Sequence, residues 1–114
     1  IKQSRRGMVE TIDFFTSFGH GEGGDHRRRM GLETAGPVAL ITDLAVWEPD
    51  PDTAELTVTR LHPGGTAAMA RETCGWPARF ARDVVETPPP NATELSVLRE
   101  LQARTARAHD TGAA

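Results

Sequence analysis

Residues 36–76 read GPVALITDLAVWEPDPDTAELTVTRLHPGGTAAMARETCGW, and this stretch decides the fold. Val38–Trp47 is apolar on both alternating faces, interrupted only by Thr42 and Asp43. A strand apolar on both faces is expected at the centre of a covered sheet. Glu48-Pro49-Asp50-Pro51-Asp52 follows as turn chemistry, with proline presetting φ and aspartate able to bond back to the backbone. Leu56–Leu61 then alternates, Leu56, Val58 and Arg60 against Thr57, Thr59 and Leu61. The two runs are predicted to pair as an antiparallel hairpin. Thr66 is a suitable N-cap for a short helix to about Thr73, and Gly75 a suitable residue just past its end.

Outward from this stretch the pattern changes. Met8–Phe15 (MVETIDFF) alternates and is rich in β-formers, so a strand is expected. Ser17–Gly31 (SFGHGEGGDHRRRMG) is broken by five glycines and rich in charges and histidines, which predicts a long loop. Loops of that length are uncommon in compact domains unless they serve a purpose. Arg79–Val85 is expected to add an edge strand. Pro88-Pro89-Pro90 forms a stiff spacer, and Asn91-Ala92-Thr93-Glu94 reads as a capping box opening a terminal helix. That helix gathers Leu95, Val97, Leu98 and Leu101 on one arc, and the tail from Ala108 is expected to fray. The division anticipated is therefore 1–87, β-rich with the 17–31 loop, and 88–114, a Pro-rich spacer and helix. No internal repeat is visible.

Composition narrows the class. A chain of 114 residues allows one small domain or part of a larger one. The opening on Ile1 makes a fragment, a processed product or a truncated frame the expectation. The net charge of −3 gives no basic field for nucleic acid. One cysteine, Cys74, permits no internal disulfide and fits a reducing compartment. No apolar run approaches the roughly 20 residues of a membrane span, and no signal-peptide core is visible, so a cytoplasmic location without membrane association is expected.

Residues able to carry chemistry each have a plainer reading. His20, His26, Glu22 and Asp25 have side chains that ligate metals, but no recognised spacing, and no metal is expected. Arg27, Arg28 and Arg29 read first as a solvated charged face. Asp43 interrupts an apolar run and needs a partner, a cleft or an interface. His62 before Pro63-Gly64 reads as a strand-end anchor, Cys74 as a small packed thiol, and Trp47 and Trp76 as core or interface residues.

The ordered segments ITDLAVWEPD, ELTVTRLHPG and TCGW, preceded by VETIDFFTSFGHG, resemble the C-terminal region of the β subunit of family I CoA-transferases, of the 3-oxoadipate and glutaconate kind. The resemblance spans roughly residues 7–102. It implies an α/β fold, the C-terminal part of an open α/β sandwich with a central β-hairpin and C-terminal helices, paired with a homologous α subunit. It also implies transfer of CoA from an acyl-CoA such as succinyl-CoA to a carboxylic acid acceptor. Coenzyme A is then a substrate, and no permanently bound cofactor is implied. In this family a glutamate in a Gly-rich S-E-N-G-type motif attacks the thioester, splitting one acyl transfer into easier steps. No acid of this chain sits in such a motif; Glu22 is the nearest look-alike but aligns with a later loop. No catalytic residue is therefore carried over, and the segment alone is expected to be inactive. Position in the family makes the loop around Gly19, His20, Gly21 and Arg27 the candidate to lie near CoA or the acyl group. Arg27 to Arg29 become candidates for the CoA phosphates. The chain departs from the family at Gly65, Ala68, Ala70 and Cys74, where packing or helix support is expected to weaken. Two rivals stand beside this reading. One is a CoA-thioester hydrolase or ring-opening enzyme on the same fold. The other is a non-catalytic α/β binding or assembly module.

Overall fold

A computed structural model describes residues 1–111. The elements run α1 (His26–Arg29), β1 (Leu40–Ile41), β2 (Ala45–Pro49), β3 (Leu56–Leu61), α2 (Ala67–Glu72), β4 (Arg79–Glu86) and α3 (Ala92–Thr111). The strands form one mixed sheet in the order β1-β2-β3-β4. β1–β2 and β2–β3 are antiparallel, whereas β4 runs parallel to β3, with α2 in the connection between them. A parallel neighbour requires such a crossover. The chain is thus α/β, as anticipated.

The run Val38–Trp47 is not one strand. It folds back at Thr42, so that Ile41 faces Val46 and Leu40 faces Trp47. The Thr42 hydroxyl oxygen accepts from the Leu44 and Ala45 amides at 3.2 and 3.0 Å, and the Thr42 amide donates to the Ala45 carbonyl at 2.9 Å. A threonine that satisfies the backbone locally competes with the sheet ladder, and here the turn wins. The central hairpin is as expected, β2 against β3, but with a bulge. Val46 pairs Arg60 while Trp47 pairs Val58, leaving Thr59 unmatched. The extra residue shifts the phase of β3, so Leu56, Val58 and Leu61 all pack on the core while Arg60 is exposed. Simple alternation placed Leu61 on the opposite face.

The core gathers Met8, Ala45, Trp47, Val58, Ala70 and Cys74. Trp47 is fully buried, with Trp76 tilted against it at 6.1 Å between ring centroids. Arg71 of α2 stacks over the Phe80 ring of β4 at 4.4 Å. Thr66 caps α2 through its hydroxyl, which accepts from the Met69 amide at 3.1 Å. Gly75 plays a different part from the one expected. It does not adopt a left-handed turn; its amide donates to the Met8 carbonyl at 2.7 Å, and a Cβ there would strike that same oxygen. Gly65 is likewise fitted to its place, since a Cβ would sit 2.5 Å from the Leu44 carbonyl oxygen. Ala70 is completely buried in the core and Ala68 is exposed, so neither leaves a visible defect.

Met8–Phe15 is not a strand. Only Met8 is buried, and Ile12, Phe14 and Phe15 lie open to solvent. No neighbouring strand among the described residues offers this segment a ladder, so β-propensity alone does not form one. Upstream of it, residues 1–8 act as a strap. The Asp43 carboxylate accepts from the Gln3 amide at 2.7 Å, and the buried Gln3 side chain joins four groups. Its amide nitrogen donates to the Ala70 carbonyl (3.1 Å) and Thr73 Oγ1 (2.9 Å), and its oxygen accepts from Thr42 Oγ1 (2.9 Å) and Trp47 Nε1 (3.2 Å).

The capping box forms as read: the Asn91 amide donates to Glu94 Oε2 at 2.8 Å and the Glu94 amide to Asn91 Oδ1 at 3.0 Å. α3 is regular to Thr111, so Ala108–Thr111 are helical rather than frayed, and the end of the anticipated tail lies outside the described residues. Val97, Leu98 and Leu101 remain exposed.

Candidate functional site

The loop 17–37 is tied down by bonds among its own atoms and by one to the Thr53 carbonyl. The amide of Gly21 donates to the Phe18 carbonyl at 2.9 Å, that of Gly23 to His20 at 3.0 Å, and that of Gly24 to the Thr53 carbonyl at 2.9 Å. The Glu22 amide donates to His26 Nδ1 at 2.9 Å. The His26 ring packs on Phe18, with centroids 5.0 Å apart. Gly21 makes this possible: its φ is +61°, and a Cβ would collide with both rings. Four successive amides, from Gly21 to Gly24, are thus already used inside the chain.

Side chains complete the loop. His20 Nε2 donates to the Pro37 carbonyl at 2.7 Å, which fixes the proton on that nitrogen. Asp25 pairs with Arg29 at 2.9 Å and Arg28 at 3.3 Å, and the Arg29 guanidinium, foremost, holds its carboxyl below the usual carboxylate range. Arg27 donates from Nε to the Thr34 carbonyl (3.1 Å), from one terminal nitrogen to Thr34 Oγ1 (2.7 Å), and from the other to the Gly19 carbonyl.

Opposite the loop stands the turn after β2. Asp50 Oδ1 accepts from the amides of Asp52 and Thr53 at 3.0 and 2.9 Å and from the Thr53 hydroxyl at 3.0 Å. Those donors, the Thr53 amide foremost, depress the Asp50 pKa. Between loop and turn runs an open groove of about 600 Å³, lined by His20, Arg27, Arg28, Thr34, Asp50 and Asp52 among others. Its loop wall mixes His20, Arg27 and Arg28 with the carboxylates of Asp25 and Glu33, and its other wall carries those of Asp50 and Asp52.

Of the residues anticipated, Gly19, His20, Gly21 and Arg27 come together in one loop, with His20 and Arg27 on the groove and Gly21 facing a second hollow beside Val9 and Trp76. The others lie apart. Asp43 is exposed and holds the strap; the Gln3 amide, its main partner, lowers its pKa. His62 Nδ1 meets Thr87 Oγ1 at 2.8 Å and so joins the ends of β3 and β4, and Cys74 is buried in the core. Among the described residues, no three His, Cys, Asp or Glu side chains converge as a metal site. Sequence reasoning missed Gln3 and Thr34, both lone polar residues outside any periodic pattern. The Asp50 turn was legible as a turn but not as a groove wall.

The comparisons with known proteins agree on one fold. The chain is 53% identical over 109 residues, 96% of its length, to the β subunit of the 3-oxoadipate CoA-transferase of Pseudomonas knackmussii, and spans 42% of that relative. It superimposes with a TM-score of 0.77 on glutaconate coenzyme A-transferase from Acidaminococcus fermentans, at 24% identity, over 87% of this chain and 38% of that one. The decarboxylase AibA/AibB matches with a TM-score of 0.62, at 24% identity, over 86% of this chain and 34% of that one. No protein-family model matches. The described part therefore has the fold of the corresponding region of these enzymes.

Proposed function

We infer that this chain is a segment of the β subunit of a CoA-transferase that moves CoA from an acyl-CoA to a carboxylic acid, with 3-oxoadipate the favoured acceptor. The observation that carries the reading is the 53% identity to the β subunit of a 3-oxoadipate CoA-transferase across 96% of the chain. That this relative is itself one subunit of a larger enzyme supports an α subunit as partner. Coenzyme A enters as a substrate and leaves with the product.

Within that enzyme the chain supplies scaffold and one wall of a site. On this reading none of the acids of this chain is the nucleophile, since none sits in an S-E-N-G-type motif. The wall is the groove between Gly19–Arg27 and the Asp50 turn, and its support is the gathering of His20, Arg27 and Arg28 at one opening. In this reading the wall shapes the opening, since His20, Arg27 and Arg28 already bond within the chain. We read 88–114 as a separate arm. Its support is that Val97, Leu98 and Leu101 of α3 stay exposed. The absence, among the described residues, of a helix able to cross a membrane is compatible with a cytoplasmic enzyme.

The test is direct. A complete β subunit containing this sequence, combined with its α subunit, is expected to transfer CoA from succinyl-CoA to 3-oxoadipate. Absence of turnover across a panel of dicarboxylates would sink the reading. A second reading, an enzyme of other chemistry on this fold, is favoured by the likeness to a decarboxylase. Release of free CoA or CO₂ in place of CoA transfer would favour it.

A further inference from the structure

We propose that Arg27 is a positioning residue, the clamp that holds the 17–37 loop in shape over the groove, rather than a ligand for a CoA phosphate. The inference rests on the transferase reading for its kinetic consequence, but its structural basis stands alone.

Three observations carry it. First, the Arg27 guanidinium spans the two ends of the loop. It donates to the Gly19 carbonyl on one side and to the Thr34 carbonyl and hydroxyl on the other. Residues 19 and 34 bracket the four amides whose bonds give the loop its form, so one planar cation fixes both stems. Second, the molecule makes room for it. Gly36 adopts φ +81°, and a Cβ there would lie 2.9 Å from Arg27 Nε. Third, the neighbouring arginines are committed elsewhere, Arg28 and Arg29 both to Asp25. A lysine cannot replace the clamp. Its ammonium is a point charge and cannot meet three acceptors arranged around a flat fork.

Two kinds of measurement distinguish clamp from ligand. Arg27→Lys, Thr34→Val and Gly36→Ala each damage the clamp, and the last two leave the arginine charge in place. Hydrogen exchange of the 18–26 amides in the assembled two-subunit enzyme is expected to accelerate at least tenfold in all three. In the assembled two-subunit enzyme, kcat is expected to fall at least tenfold in Arg27→Lys and Thr34→Val, with KM for the acyl-CoA within about twofold of wild type. A phosphate ligand predicts the reverse, a raised and salt-sensitive KM in Arg27→Lys and near-normal kinetics in Thr34→Val. That outcome, or unchanged exchange in Thr34→Val and Gly36→Ala, overturns the proposal. An assembled wild-type enzyme without transferase activity removes the functional reading, while the exchange measurement still decides whether Arg27 is the clamp.

Discussion

Gln3 shows how much one buried side chain can organise. Its amide uses both hydrogens and its oxygen on four partners drawn from the β1–β2 turn, β2 and the α2 end. A buried network of this kind is favourable only when complete. Gln3→Ala would strand the Trp47 indole N–H, while the Thr42 hydroxyl keeps the Ala45 carbonyl as an acceptor, at a cost of roughly 1–3 kcal/mol. Urea denaturation monitored by tryptophan fluorescence measures this directly. Gly65→Ala, despite adding only a methyl group, is expected to cost about 1–3 kcal/mol because its Cβ would crowd the Leu44 carbonyl. A stability unchanged within 0.5 kcal/mol, on the order of an ordinary surface substitution, would show that the backbone yields there. The same position illustrates the limits of a sequence: Gly65 reads as a weakened site until the approach of a carbonyl 21 residues earlier is known.

At the scale of elements, short-range chemistry was legible and long-range pairing was not. The Thr66 cap, the Asn91–Glu94 box and the Asp50 turn rest on bonds within four residues, so their signals lie side by side in the chain. The Thr42 turn hid inside an apolar run because only its hydroxyl gives it away. The missing strand at 8–15 fails for the opposite reason: a ladder needs a neighbour, and alternation says nothing of whether one is present. Two predictions belong here. Asn91→Ala removes half the capping box and is expected to cost α3 about 1 kcal/mol, read as lost helicity by circular dichroism. Asp50→Ala is expected to lower the melting temperature at pH 7. Because folding depresses the Asp50 pKa, its contribution is complete above the unfolded value of about 3.9 and is lost as pH falls through the folded one. Melting curves of variant and wild type should therefore converge in acid; a constant offset down to pH 2, roughly two units below that unfolded value, would contradict the assignment.

Over the whole molecule, surface is in excess. The chain exposes 8774 Å², well above the roughly 6,100 Å² of a compact monomer of this mass. Its radius of gyration is 17.8 Å, against about 13 Å for a globular domain of this length. Ile12, Phe14 and Phe15 are open on one segment and Val97, Leu98 and Leu101 on another. Large exposed apolar areas mark association surfaces. Light scattering after size exclusion is expected to show self-association of the isolated chain, relieved when a complete partner subunit is present. A monodisperse monomer at high concentration would mean that these side chains need no cover. The candidate site was legible only as a loop of suggestive composition, because the groove exists where that loop meets a turn some 30 residues away.

The strap sets an order on biosynthesis. Gln3 is among the first of these residues to be made, yet its hydroxyl partner on α2's end, Thr73, lies 70 positions later. At bacterial-to-eukaryotic elongation rates of about 5–20 residues per second, the ribosome needs roughly 4–14 s to deliver it. During that interval Trp47 and strands β1 to β3 emerge with the lid of their core absent. The Gln3 network cannot close before α2 has been made, and the core is completed only when Phe80 and Val84 of β4 follow.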